Sequence, residues 1–322
     1  MVPHLDRLLV VDGARRLRLE GISFAHTRAL EPVGGYAGIQ AAFHDQRGEG
    51  PREIPPTSAV EVRGSTEVSF RRCHFEHLGS SGLWLASGVR DAEVSRCTFE
   101  DLGANGLMIG TPQEPSSAAD LTAQVTCEDS SFSRCGALYG GAVGVWIGLA
   151  QDVHVRHNLL HHLPYTGISL GWIWDPRETV SGGHLIERNH IHHVMQLLSD
   201  GGGVYTIGNH TDSFVRANLI HDVPINLGRA GSNGFFIDEG SSAMVFEDNV
   251  IHGITRSPVR FHKAGANVLR GNLLVTAEDV PPYRYNNCSA EVMTFEDNRV
   301  LPAAAWAGEH PARDAGPRRG PR

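Results

Sequence analysis

Of the 322 residues only one, Lys263, is a lysine, and arginine supplies every other long basic side chain. Acidic residues outnumber basic ones, 36 to 28, for a net charge of −8. That balance does not suit contacts with a phosphate backbone, so no nucleic-acid partner is expected. No apolar run reaches the 18 residues of a membrane span, so no membrane partner is expected either. Cysteine is scarce: five residues, an odd number without regular spacing. They read as free thiols of a reducing compartment, not as a disulfide framework. The start, MVPHLDRLLVVDG, lacks the regions of a signal peptide. The expectation is a cytoplasmic chain, or a secreted one if the sequence is an N-terminally shortened piece. No dense aspartate cluster offers the oxygen shell that calcium needs, and no metal or other cofactor is expected. No stretch carries a helical period.

What is present is a repeat. FRRCHF (70–75), VSRCTF (94–99), VRHNLL (155–160), IERNHI (186–191), VRANLI (215–220), FEDNVI (246–251), LRGNLL (269–274) and FEDNRV (295–300) share one pattern. It is apolar-x-x-(Asn or Cys)-x-apolar. CEDSSF (127–132) and LEGISF (19–24) fit more loosely. From Cys73 onward the fourth positions are spaced 24, 33, 28, 31, 29, 31, 23 and 26 residues apart. A second run follows most of them: GLWL (82–85), GLMI (106–109), GVWI (144–147), GISL (167–170), GVYT (203–206), GFFI (234–237) and, degenerately, PVRF (258–261). Two or three short strands per repeat predict an all-β solenoid, a right-handed single-stranded parallel β-helix of about ten coils over residues 1–302. Stacked at about 4.8 Å, ten coils make a rod roughly 48 Å long. The asparagines should form one interior amide ladder. His161, His192, His221 and His252 recur just after it and read as stacked turn residues, since the repeat alone explains their spacing. Cys73 and Cys97 read as buried thiols in the anchor column. The tail from 303 to 322, rich in Ala, Pro, Gly and Arg, is expected to be disordered.

Strand alternation separates two faces in the second run. Leu83, Leu107, Val145, Ile168, Val204, Phe235 and Val259 point inward, as do the residues two further on. The column between them, Trp84, Met108, Trp146, Ser169, Tyr205, Phe236 and Arg260, points outward. Two readings compete for it. A loop covers it, or it floors a groove that binds the flat apolar faces of sugars. The next outward column begins with small residues, Ala86, Gly110, Gly148 and Gly171, and ends in Asp238 with His262 beside it. Glu239 and Lys263 flank that end. Acid, imidazole and amine at one strand end form a candidate site. One coil earlier the longest departure from the repeat, GWIWDPRETVSGG (171–183), carries Trp172, Trp174 and Asp175. It is either a substrate-binding loop or a lid folded back on the solenoid. Asp200 precedes three glycines, in SDGGGVYTIG (199–208). Those glycines are expected to give a tight turn and to leave room above the groove.

FAHT (24–27), GYAGIQAAF (35–43), GWIW (171–174), SDGGGVYTIG and FIDEGSS (236–242) together resemble the catalytic region of glycoside hydrolase family 141. That family comprises right-handed β-helix enzymes described as fucosidases and xylanases. The resemblance implies a carbohydrate substrate and two catalytic aspartates, which by motif and order correspond to Asp200 and Asp238. Glycoside hydrolysis needs two carboxyl groups about 5–5.5 Å apart for retention or about 6.5–9.5 Å for inversion. Seven extended residues would separate Asp200 and Asp238 by roughly 23 Å, so the pair requires Asp200 to fold back over the strand. Otherwise Asp238 with Glu239, His262 or Asp175 is the better set. Trp84, Trp146, Trp172, Trp174, Asp175, Tyr205, Arg260 and Lys263 are the candidate substrate contacts. A polysaccharide lyase using Lys263, His262 or Arg260, and a non-catalytic carbohydrate-binding solenoid, are the alternatives.

Overall fold

The six-residue repeat turns a corner at its third position. Arg72, Arg96, Asp129, His157, Arg188, Ala217, Asp248, Gly271 and Asp297 all adopt left-handed backbone, with φ between 50° and 63°. Each non-glycine residue held there costs about 1 kcal/mol. The next residue offsets that cost. Asn158 donates from both its backbone N and its Nδ2 to Asn189 Oδ1, each at 3.1 Å. Asn189 does the same to Asn218, Asn218 to Asn249, Asn249 to Asn272 and Asn272 to Asn298. Every Nδ2 in this ladder also donates to a main-chain carbonyl of the coil before it. Buried amides with all their partners supplied fix the corner's position in each coil. Ser130 continues the ladder toward Cys97 and Cys73 with its smaller side chain.

The computed structural model describes residues 3–30, 32, 35–38, 40–45, 53–224, 228, 230–308, 312 and 314–318. Thirty short strands form three sheets of ten, all paired parallel, each strand hydrogen-bonded to its equivalent one coil away. The chain is therefore a parallel β-helix of ten coils, as the repeat predicts. The first sheet runs from Leu9–Asp12 to Tyr283–Asn286, the second from Arg15–Glu20 to Thr294–Glu296 and the third from Ser23–Ala25 to Arg299–Pro302. The asparagine corner joins the second sheet to the third. Phe24, Phe75, Phe99 and Phe132 stack up the inside of the third sheet with ring centres 4.5–5.0 Å apart. Leu160, Ile191, Ile220, Ile251 and Leu274 continue the same buried column. All five cysteines are free thiols; Cys73, Cys97, Cys127 and Cys135 are buried, and burial pushes Cys97 up to about 12.

The glycine that opens each first-sheet motif has no room for a side chain. A Cβ on Gly106 would meet Phe132 at 2.6 Å and the Gly144 carbonyl at 2.5 Å; on Gly203 it would meet Ile220 at 2.5 Å. This gives the triple glycine a different reason from a tight turn. Gly201, Gly202 and Gly203 lie in the extended strand Gly201–Thr206, and none has positive φ. A Cβ on Gly201 would strike Thr166 at 2.5 Å and the Tyr165 ring at 2.9 Å; one on Gly202 would strike the next strand's backbone. The turn belongs to Asp200, whose φ is +68°.

Outside the third sheet the imidazoles of His161, His192, His221 and His252 stack in parallel at 5.3, 5.0 and 4.8 Å, in register with the strands. Part of the segment expected to be disordered is placed in the structure. Trp306 lies tilted against His252, ring centres 5.3 Å apart, Ala312 packs with Leu219, Val250 and Leu273, and Arg318 pairs with Asp129 and Glu128. The apolar column outside the third sheet gives those residues something to cover. The remainder of 303–322 lies outside the described residues. Among the described residues no helix is long and apolar enough to cross a membrane.

Candidate active site

The outer face of the first sheet carries the column expected from strand alternation. Trp84, Met108, Trp146, Ser169, Tyr205, Phe236, Arg260 and Arg284 are successive strand partners. Its environment differs from an open groove. Trp146 and Tyr205 are buried outside the coil, not inside it, because another segment lies over them. That segment follows the first coil and crosses several coils. Phe43 packs on Trp146 at 5.0 Å and on Trp172 at 4.2 Å between ring centres. Asn105 Nδ2 donates to the Ala41 carbonyl at 2.7 Å, and Trp172 Nε1 donates to Glu53 at 2.7 Å. Alternation tells which face a residue is on, not what covers it, and the groove floor expected at Trp146 and Trp172 is instead the underside of this cover. Trp84 is half-buried, its Nε1 donating to the Gly110 carbonyl, and Trp174 keeps 37% of its surface. Met108 is buried as well.

Past the cover's end the column becomes polar. Asp238 follows the strand Ser232–Ile237 and is 6% exposed. Its Oδ2 accepts from the Tyr205 hydroxyl at 2.6 Å, and its Oδ1 lies 2.6 Å from His262 Nδ1. Both oxygens of a buried carboxylate are thereby partnered, which burial demands. Tyr205 comes from the preceding coil and His262 from the following one, so three coils build this centre.

Asp200 turns onto the outward column beside Arg260. Its left-handed backbone turns the chain at the opposite end of the strand, with its N donating to the Gly231 carbonyl and its own carbonyl accepting from Tyr165 Oη at 2.5 Å. The carboxylate then lies 3.5 Å from Arg260 Nη1, on the outward column. Its side chain keeps 58% of its surface. Even so, loss of water pushes its carboxyl above the ordinary carboxylate range; the Arg260 charge opposes this, Asp238 adds to it and His262 opposes it. Burial also raises the Tyr165 phenol, and the charges of Asp200 and then Asp238 raise it further. Asp200 and Tyr165 thus both feel the charge of Asp238.

A cavity of about 390 Å³ opens beside Asp200, walled by Tyr36, Gln40, Gly141, Tyr165 and Leu198. Gln40 Oε1 is buried there without a hydrogen-bond partner, while its amide side chain acts on both Tyr165 and Tyr205. Gln40 and Tyr165 were not singled out from the sequence. Gln40 lies within the GYAGIQAAF stretch, which interrupts the repeat; Tyr165 sits three residues before the ISL strand with no motif of its own.

The other sequence candidates fall elsewhere. Glu239 and Lys263 pair with each other at 2.6 Å on the surface. Asp175 is exposed and its Oδ1 caps the Arg177 N–H at 2.8 Å, a turn within its own loop. That loop packs against the far strand ends: a Cβ on Gly240 would come within 2.4 Å of the Asp175 main chain. Among the described residues no group of three or more His, Cys, Asp or Glu side chains is arranged to hold a metal ion.

Residues 53–172 match the family model "Right handed beta helix region". A solved structure titled "Glycoside hydrolase" superposes on 98% of this chain with TM-score 0.77 and 24% identity. The match takes in 53% of that protein, so this chain spans about half of its length. The GH136 lacto-N-biosidase from Eubacterium ramulus matches over 89% of this chain and 61% of its own, with TM-score 0.51 and 10% identity. These likenesses show a shared right-handed β-helix. A sequence search against curated proteins returns no match.

Proposed function

We propose that this protein is a carbohydrate-active β-helix enzyme that hydrolyses a glycosidic bond, in the manner of glycoside hydrolase family 141, with Asp200 and Asp238 as its two carboxyl groups. The observation that carries this reading is the contrast between them. Asp238 is buried and accepts from a phenol and an imidazole; Asp200 is half-exposed at a cavity and pushed upward. Two carboxyl groups in unlike environments can divide the work of acid and base. Asp200 is the general acid, its carboxyl pushed upward by loss of water and facing the cavity where a leaving sugar oxygen would lie. Asp238 is the base or nucleophile, oriented by Tyr205 and His262, which are positioning residues. The fold likeness to a protein titled glycoside hydrolase supports the reading, as does the order of the SDGGG and FIDEG motifs.

The test is kinetic. Asp238→Asn and Asp200→Asn should each lower turnover on a cleaved oligosaccharide by roughly 100-fold or more while sugar binding persists, since each removes a group needed in the transition state. Full turnover in Asp238→Asn overturns the assignment. A second reading, β-elimination from a uronate, is favoured by one observation: the Arg260 guanidinium is buried at the site, where it would face a uronate carboxylate. An unsaturated, ultraviolet-absorbing product would select it.

A further inference from the structure

Resting on the carbohydrate reading above, we infer that the site takes a sugar bearing an anionic group, a carboxylate or a sulfate ester, and that Arg260, Arg284 and Arg256 receive it. The three arginines lie together at one end of the first sheet. Arg260 and Arg284 are strand partners on the outward column. Arg256 and Arg284 both reach Gly231: a Cβ there would come within 2.9 Å of the Arg256 stem and 3.1 Å of Arg284 Nη1. Arg256 is exposed and Arg284 half-buried. Loss of water lowers Arg284 from its ordinary value, and the Arg256 and Arg260 charges lower it further.

Among the described residues this positive charge is under-compensated. Arg260 is only 8% exposed, stacked over the Phe236 ring with its guanidinium carbon 4.4 Å from the ring centre. Its Nη1 has no hydrogen-bond partner, and its sole carboxylate neighbour among the described residues is Asp200 at 3.5 Å. Arg284 Nη1 is likewise buried without a hydrogen-bond partner, and neither Arg284 nor Arg256 has an ion pair among the described residues. Beside them Asn233 Oδ1, fully buried, also has no partner. Buried guanidinium nitrogens are normally matched by an acceptor, and leaving them unmatched is costly. Three neighbouring arginines whose one carboxylate neighbour among the described residues is Asp200 fit an anion in their midst, since their forked donors match the oxygens of a carboxylate or sulfate. The unmatched Asn233 oxygen fits a neighbouring hydroxyl. Placed here, the anion lies against Arg260, which also touches the proposed acid, so it anchors the sugar ring beside Asp200.

The experiment compares three matched probes by calorimetry on the full chain: a glucose trisaccharide, its glucuronate counterpart and its 6-O-sulfated counterpart. Thermal-shift measurements with free sodium glucuronate, sodium sulfate and glucose at constant ionic strength accompany it. At least one acidic trisaccharide should bind roughly tenfold or more tighter than the neutral one, the worth of one charge-assisted hydrogen bond. The advantage should shrink as salt is added. Which acidic probe wins tells carboxylate from sulfate. Arg284→Gln and Arg256→Gln should each remove most of the advantage without changing affinity for the neutral sugar. Equal binding of neutral and acidic sugars overturns the inference and leaves the carbohydrate reading standing. Stabilisation by the free anions without binding of any trisaccharide supports the anion site and counts against the carbohydrate reading. No response to any probe overturns the inference, as does an undiminished preference in both variants.

Discussion

The asparagine corner and the outer face of the first sheet are built from the same ten coils to opposite ends. At the corner each residue repeats its neighbour, and the bonds run from like to like: Asn189 to Asn218 to Asn249. On the outer face the column changes identity at nearly every step, from tryptophan through serine and tyrosine to arginine, and the bonds run between unlike groups: Tyr205 to Asp238 to His262. A ladder of identical side chains satisfies its own polar groups and needs nothing from outside. A column that departs from repetition leaves groups such as Arg260 Nη1 and Gln40 Oε1 without partners. Repetition builds the scaffold, and its interruption builds the site.

Breaking the comparison should give effects of different kind and size. The largest on stability falls in the ladder. Asn218→Ala strips the acceptor from the backbone N and Nδ2 of Asn189 and the donor from the Ile186 carbonyl, all buried. Each buried group left unmatched costs about 1–3 kcal/mol, so the loss should be about 3 kcal/mol or more in denaturant unfolding. The same change at the half-buried terminal Asn298 should cost distinctly less. On the site side, Tyr205→Phe removes one donor from Asp238; turnover should fall roughly tenfold while sugar affinity holds.

Acid should weaken the scaffold through its buried histidines. Burial lowers His184 well below the usual histidine range and His210 to about 4, and lowers His192, in the stacked column, to about 3, with its histidine neighbours adding to the shift. The folded chain holds these rings neutral while the unfolded chain protonates them near 6.5. Stability should therefore be level above about pH 6.5 and decline as pH falls toward 4, read as a falling thermal midpoint. A midpoint unchanged from pH 7 to pH 4 would contradict the account of these histidines. The smallest effect is expected at Arg15, whose ion pair with Glu67 is exposed on both sides. Arg15→Ala should cost at most about 1 kcal/mol, since exposed ion pairs contribute little.

The coil number, the ladder and the two faces of the first sheet were legible in the sequence because a repeat states the same geometry many times over. Asn158 to Asn298 announce the corner whichever copy is read. The covering segment around Phe43 was not legible as a cover, because it occurs once and its partners Trp146 and Trp172 lie more than 100 residues away. For the same reason Trp146 read as a sugar platform: strand parity places it outside the coil, and only tertiary packing buries it. The triple glycine was visible, but its cause, the crowding of Thr166, Tyr165 and Ile220 against the strand, was not. Asp200 and Asp238 stood out as motifs, and Arg260 and His262 as column members. The approach of Asp200 to Arg260 depends on one left-handed residue, Asp200 itself, which composition does not reveal.

The central claim is that the centre around Asp238 adds water across a glycosidic bond. The most direct measurement is mass spectrometry of the products formed from an oligosaccharide in water enriched in oxygen-18. The account predicts one heavy oxygen in each pair of products and no ultraviolet absorbance from a new double bond, with both signals absent in Asp238→Asn. An unsaturated product free of the heavy oxygen, or heavy-oxygen incorporation undiminished in Asp238→Asn, would contradict it.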